Sequence, residues 1–196
     1  MPSSPERLLV VIGPSGAGKS TVVRGLAAAG LIEVTPTWTT RPPRRGEHAA
    51  SIEHRFVSEV EFDRLERCAA FLGTARLFGL PYRYGLPAIR RPAPGRVAAI
   101  MLRAALVPRL RALLGDLTVY QVEDAEGRVA ERLLERSREG AELGSRLADF
   151  EAEVALGRSL AHRVFVNSGD PAALTAALAR AIRLDVAPER IPALWA

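Results

Sequence analysis

The stretch Leu8-Leu9-Val10-Val11-Ile12-Gly13-Pro14-Ser15-Gly16-Ala17-Gly18-Lys19-Ser20-Thr21 decides the fold. Five consecutive apolar residues followed by a glycine-rich turn predict a strand buried on both faces, the first of a parallel sheet. Residues 13–20 match GxxxxGK[ST], between that strand and a helix expected from Lys19 to about Ala29 and ended by Gly30. Glycines let backbone N–H groups converge on phosphate oxygens without Cβ clashes, and the helix N-terminus adds partial positive charge. Gly13, Ser15, Gly16, Ala17, Gly18, Lys19, Ser20 and Thr21 are the candidate ATP-binding residues. Lys19 is expected to reach the β- and γ-phosphates and Ser20 to ligate Mg²⁺. The motif alone says that a nucleoside triphosphate binds, and kinases, GTPases, ATPases and motors share it.

The 196 residues are 48% hydrophobic and 25% charged, which suits one globular domain with a sizeable core. Cys68 is the only cysteine, so a disulfide framework and a multi-cysteine zinc site are excluded and a reducing, cytoplasmic compartment is expected. The formal charge is +5 and the sequence pI about 10.3. Of 27 basic residues only Lys19 is a lysine. Arginine at every other basic position reads as codon bias rather than a nucleic-acid footprint, and acidic residues are interspersed throughout. Every apolar run is far shorter than the roughly 18 residues of a membrane span. Neither a nucleic acid nor a membrane is expected as partner; the chain is expected as a monomer or homodimer.

Strands and helices then alternate. A short strand is expected over 32–35, and Ser58-Glu59-Val60-Glu61 fits a capping box opening a helix through about Arg67. Between them, 39–58 is polar and rich in Arg and Pro, unlike the rhythm around it. Short strands are expected over 71–77 and 81–84, then a strand over 96–102, a helix over 104–114 and a strand over 117–122. A helix over 125–135, a polar mobile segment over 136–144 and a helix over 145–156 follow. A last strand over 163–167 and a helix over 171–184 complete the pattern. Strands alternating with helices give the expected fold class, α/β with a mostly parallel sheet.

Thr39-Thr40-Arg41-Pro42-Pro43-Arg44-Arg45-Gly46-Glu47, then Phe56-Val57-Ser58 and Glu61-Phe62, resemble the guanylate kinase family, which carries TTRxxRxGE, FVS and an acidic-Phe helix. Tyr84-Gly85 resembles the end of the family's YYG. Arg132-Leu133 with Arg136 resembles its lid, Arg146-Leu147 the lid-flanking arginine, and Val164-Phe165-Val166-Asn167 its last strand. The resemblance runs from Leu8 to Leu184. It implies a three-layer P-loop kinase fold, α/β with a mostly parallel sheet, in a single domain over 1–184, with a core of 7–35 and 95–184, a small acceptor-binding subdomain over about 36–90, a mobile lid over about 136–146 and a tail over 185–196. Arg41 and Arg44, three apart in a loop, can fork onto one phosphate dianion. The family assigns that acceptor phosphate to residues matching these two and Tyr84. Arg132 and Arg136, one helical turn apart, with Arg146 are expected to close over the triphosphate and stabilise charge in the transition state. With Lys19 they form the expected catalytic set.

The departures from the family cluster where guanine would be read. The family's guanine-reading Glu aligns with Gly73, and its Asp-x-Asp pair with Met101 and Arg103. His54 stands near its acceptor-site tyrosine, and Thr37 stands where it has a guanine-contacting Ser. Leaving guanine's N–H donors unpaired in a closed site would cost about 1–3 kcal/mol each. Arg103 also reverses local charge, which favours a second anionic group on the acceptor. Glu53-His54 and Gly79-Leu80…Tyr84-Gly85 followed by Pro87-Ala88 resemble another branch of the superfamily, the ribose 1,5-bisphosphate phosphokinases. The acceptor set expected from the sequence is Thr37, Arg41, Arg44, His54, Tyr84 and Arg103. The expected activity is Mg²⁺-dependent transfer of the ATP γ-phosphate to a phosphate-bearing small acceptor, GMP or a related nucleoside monophosphate by family. Ribose 1,5-bisphosphate, giving PRPP, is one alternative, and a non-catalytic nucleotide-binding or interaction module is another.

Overall fold

The computed structural model describes residues 8–14, 16–43, 51–76, 81–125 and 141–186, with the backbone alone described for 141–150. β1 (Leu8–Ile12) is buried along its whole length and lies at the centre of a five-stranded parallel sheet. Its partners are β2 (Ile32–Val34), β7 (Val97–Met101), β8 (Leu117–Asp124) and β9 (Arg163–Asn167), in the order β2-β7-β1-β8-β9. Both neighbours of β1 come much later in the chain. The order therefore reverses at β1, and its carboxyl end opens into the crevice where such sheets bind ligands.

The two faces of β1 feed separate cores. Leu9 and Val11 pack with α1 (Lys19–Ala28) and with α5 (Pro171–Asp185), through Val22, Leu26, Leu178 and Ile182. Leu8, Val10 and Ile12 pack with Val107 and Leu110 of α3 (Val107–Leu114) and with Ile100 and Val119. The helix expected over 104–114 is split: a 3₁₀ turn covers 104–106, and α3 follows with Pro108 in its first turn, where the missing N–H costs nothing. α4 (Ala141–Leu160) starts before and ends after the expected 145–156, so residues 141–144, expected as part of a polar mobile segment, are helical. The helix expected over 125–135 lies largely outside the described residues. The lid segment is divided: residues 136–140 lie outside the described residues, and 141–146 belong to α4.

A second sheet holds β3 (Thr37–Thr39), β4 (His54–Phe56), β5 (Phe71–Arg76) and β6 (Arg83–Pro87), ordered β4-β3-β6-β5. β3 and β4 fall in and beside the stretch whose composition gave no strand signal. Three-residue strands leave no periodicity to read. α2 (Glu59–Arg67) covers one face of this sheet. Ser58 caps it, its Oγ accepting from Glu61 N–H at 3.1 Å. Arg83 reaches from β6 to Glu59, Asp63 and Glu66 on α2, and its guanidinium sits 4.3 Å from the Phe62 ring centroid. Phe62 in turn packs on Phe71, centroids 4.8 Å apart.

Candidate active site

The turn after β1 is built by clearances that only glycine meets. At Gly13, φ is +134° and a Cβ would lie 2.0 Å from the Val122 carbonyl oxygen of β8. At Gly18, φ is +94° and a Cβ would lie 2.6 Å from Asn167 Nδ2. Asn167, buried at the end of β9, donates from Nδ2 to the Ala17 carbonyl at 3.1 Å and accepts the Gly169 N–H on Oδ1 at 3.0 Å. The carboxamide thus ties the turn to the far edge strand. Gly16 and the buried Ala17 complete the described turn; Ser15 lies outside the described residues.

Lys19 Nζ donates to the carbonyls of Gly13 and Pro14, both at 2.6 Å, which holds the ammonium across the mouth of the turn. Helix α1 starts at Gly18 with no side-chain cap and no acidic residue in its first turn. Its leading N–H groups and its dipole therefore face the turn without a competing carboxylate. Ser20 and Thr21 stand in that first turn. Among the described residues no cluster of three acidic, His or Cys side chains could enclose a metal. One hydroxyl and a bound triphosphate suit Mg²⁺, which keeps most of its waters and takes few protein ligands. Ser20, in the first turn of α1, is the hydroxyl that would hold Mg²⁺ beside a bound triphosphate.

Beside the turn, the end of β8 is pinned to α4. Arg158 donates to both carboxylate oxygens of buried Glu123, at 2.7 and 2.5 Å, and Gln121 Nε2 donates to Glu123 at 2.5 Å and to the Val154 carbonyl at 3.0 Å. The bonds from Arg158 hold the Glu123 carboxyl below the usual range, against the opposing effect of burial. Arg103, just past β7, pairs with the buried carboxylate of Glu153 on α4. The charge reversal at Arg103 is thus matched inside the protein, a partner the sequence did not reveal. Arg146 lies on α4, where only its backbone is described, and Arg132 and Arg136 lie outside the described residues.

Part of the expected acceptor set gathers on the face of the second sheet opposite α2. Register puts Thr37 beside His54, Thr39 beside Phe56 and beside Tyr84, and Ala75 beside Tyr84, all on one face. Thr37 Oγ is 2.7 Å from His54 Nδ1, and the His54 and Tyr84 rings lie 6.4 Å apart. Arg41 is buried. Its N–H donates to Thr39 Oγ at 3.1 Å, its Nη1 to the Pro42 carbonyl at 2.9 Å, and its guanidinium lies 5.1 Å from the Phe56 ring centroid. Four of the six expected acceptor residues therefore lie on or beside this face: Thr37, His54 and Tyr84 on it, and Arg41 against Thr39 and Phe56. Arg103 sits at the end of β7 instead, and Arg44 is outside the described residues.

One contact on this face had no sequence signal. Gly73 lies on it, opposite Leu86, and where its side chain would begin the guanidinium of Arg109 from α3 comes within 3.4 Å. Arg109 Nη1 donates to the Thr74 carbonyl at 2.9 Å. A cation thus stands at the position that resemblance reserves for a carboxylate.

A parallel sheet with a GxxxxGK[ST] turn at its topological switch, together with a small second sheet that carries arginine, histidine and tyrosine, defines the P-loop class of fold. Over 159 residues the chain is 31% identical to the guanylate kinase of Symbiobacterium thermophilum, which covers 69% of this chain and 72% of that one. It is 45% identical over 96 residues to the guanylate kinase of Thermobifida fusca and 43% over 79 residues to that of Nitrosococcus oceani. These two alignments span 46% and 37% of the relatives' lengths, less than half of each. The crystal structure of guanylate kinase from Anaplasma phagocytophilum superposes with a TM-score of 0.67 at 20% identity, covering 95% of this chain and 89% of that one. No family model matches the chain. The chain belongs to the guanylate kinase family, a family of ATP-dependent kinases. Among its described residues no helix is long and apolar enough to cross a membrane.

Proposed function

We propose that the protein is an Mg-ATP-dependent phosphotransferase that moves the γ-phosphate onto a phosphate-bearing small acceptor, GMP being the acceptor the family suggests. The observation that carries this reading is the pairing of an intact phosphate turn, braced by Asn167, with a separate face where Thr39 lies beside Tyr84 and accepts the Arg41 N–H. A nucleotide switch needs the first and has no use for the second.

In this reading the turn amides and the α1 N-terminus hold the β- and γ-phosphates, and Lys19 moves from its carbonyl contacts onto them. Ser20 holds Mg²⁺, which would neutralise charge on the phosphates when bound. Arg41 and Tyr84, with Arg44, fix the acceptor's own phosphate in line with the γ-phosphate. Positioning of this kind supplies most of the catalysis that phosphoryl transfer asks of a protein. Arg132, Arg136 and Arg146 neutralise charge developing on the transferred group, and closure over it keeps water from competing as acceptor.

A second reading is a phosphosugar acceptor, ribose 1,5-bisphosphate giving PRPP. It is favoured by Gly73, which offers no side-chain acceptor for guanine's N–H donors. The test is ATP consumption by the purified chain with Mg²⁺ across GMP, dGMP, AMP, UMP, CMP and ribose 1,5-bisphosphate, with Lys19→Ala as control. Turnover with any of these, lost in the variant, supports the kinase. Lys19-dependent ATP binding with acceptor-independent hydrolysis would point to a switch. ATP binding indifferent to Lys19 would point to a non-catalytic module.

A further inference from the structure

We infer that Arg109 sets acceptor specificity by binding a second anionic group, at the far end of the acceptor face from Arg41. The inference rests on reading this face as the acceptor site. Gly73 is opposite Leu86, two residues along β6 from Tyr84, so it is a diagonal neighbour of Tyr84 at roughly 7–8 Å on the same face. Arg109 leans into the space left by the absent side chain, with Nε and Nη2 both 3.4 Å from the point where a Cβ would be. Among the described residues only Nη1 is engaged, by the Thr74 carbonyl. That bond anchors the planar fork and leaves its other donors for a ligand. Among the described residues no carboxylate pairs with Arg109, whereas Arg83, on the opposite face, meets three. The strand residues that register places on the Gly73 face include no Asp or Glu.

A guanidinium donates and never accepts. It matches a phosphate or carboxylate and repels the donor edge of a purine. With Arg41 and Tyr84 on one anion and Arg109 on another, the face suits a small acceptor carrying two anionic groups.

The test is calorimetric titration of the full-length chain with ribose 1,5-bisphosphate and with ribose 5-phosphate, comparing wild type, Arg109→Gln, Arg41→Gln and, for general charge, Arg111→Gln on the same helix. Wild type is expected to bind the bisphosphate about tenfold more tightly than the monophosphate, from one additional charge-assisted contact. Arg109→Gln should erase that difference and leave the monophosphate affinity unchanged, and Arg111→Gln should change neither. Gly73→Glu, which sets a carboxylate against the guanidinium, should mimic Arg109→Gln. Equal binding of the two ligands by wild type, or equal loss of both in Arg109→Gln, would overturn the assignment. Arg41→Gln separates the two levels of the argument. If it weakens both ligands while Arg109→Gln weakens neither, only the role of Arg109 fails. If it too changes nothing, the acceptor reading of the whole face fails.

Discussion

The turn proposed as the donor end and the face proposed as the acceptor end are held in different ways. At the donor end the decisive groups are backbone: a glycine whose Cβ would lie 2.0 Å from Val122 O, a carbonyl tied to Asn167 and uncapped helix amides. At the acceptor end they are side chains, set on strands as short as three residues: Thr37, His54, Tyr84 and the neighbouring Arg41. A backbone-built site admits few substitutions, because each change moves the frame. A side-chain-built site can exchange what it reads while its frame stands. That contrast accounts for a phosphate turn that fits its motif at every position, and for a candidate acceptor face where Gly73 and His54 depart from the family.

The largest effect is expected at Gly13. Gly13→Ala combines backbone strain with a clash against Val122 O and should cost at least about 3 kcal/mol, read as a fall in the urea midpoint. If the variant keeps wild-type stability, the donor end is not held by backbone clearance. Lys19→Ala should lower turnover at least about a hundredfold while circular dichroism shows the fold intact. Turnover within a few-fold of wild type would remove Lys19 from the chemistry. Asn167→Ala strands the Ala17 carbonyl and should cost about 1–3 kcal/mol. It should raise KM for ATP and leave KM for the acceptor alone; an equal rise in both would mean that the two ends are not separate.

The pH dependence is smaller. The Glu123 carboxyl is held below its ordinary value, chiefly by the bonds from Arg158. Its contribution to stability is therefore complete above the unfolded-state value near 4.5 and is lost as pH falls through the lower folded-state value. Unfolding free energy measured against pH should drop on that acid side, and Glu123→Gln should flatten the drop. An unchanged slope would show that the pair carries no linkage. The smallest effect is expected at Ser58, away from both ends. Ser58→Ala removes the cap of α2 and should cost about 1 kcal/mol with both KM values unchanged.

The same contrast explains what could be read from the sequence. The run 8–12, the turn after it and the cap at Ser58 are local signals, and the structure places each where its residues point. Thr37, Arg41, His54 and Tyr84 could be singled out because the segment around Arg41 resembles a known motif, not because β3 and β4 have any legible period. Asn167 closes an apolar strand with an amide, which was a visible hint, but its partner, Ala17, is 150 residues away. Arg109 against Gly73 and Glu153 against Arg103 carried no local signal, since each pair is made by packing between separate elements.

The most direct test of the central claim follows the label in ATP carrying a radioactive γ-phosphate, incubated with Mg²⁺, the protein and each of GMP and ribose 1,5-bisphosphate, with Arg41→Gln in parallel. Label should move into one of these acceptors, and Arg41→Gln should suppress the transfer by raising KM for that acceptor. Label released only as inorganic phosphate, at a rate indifferent to acceptor and to Arg41, would contradict the account.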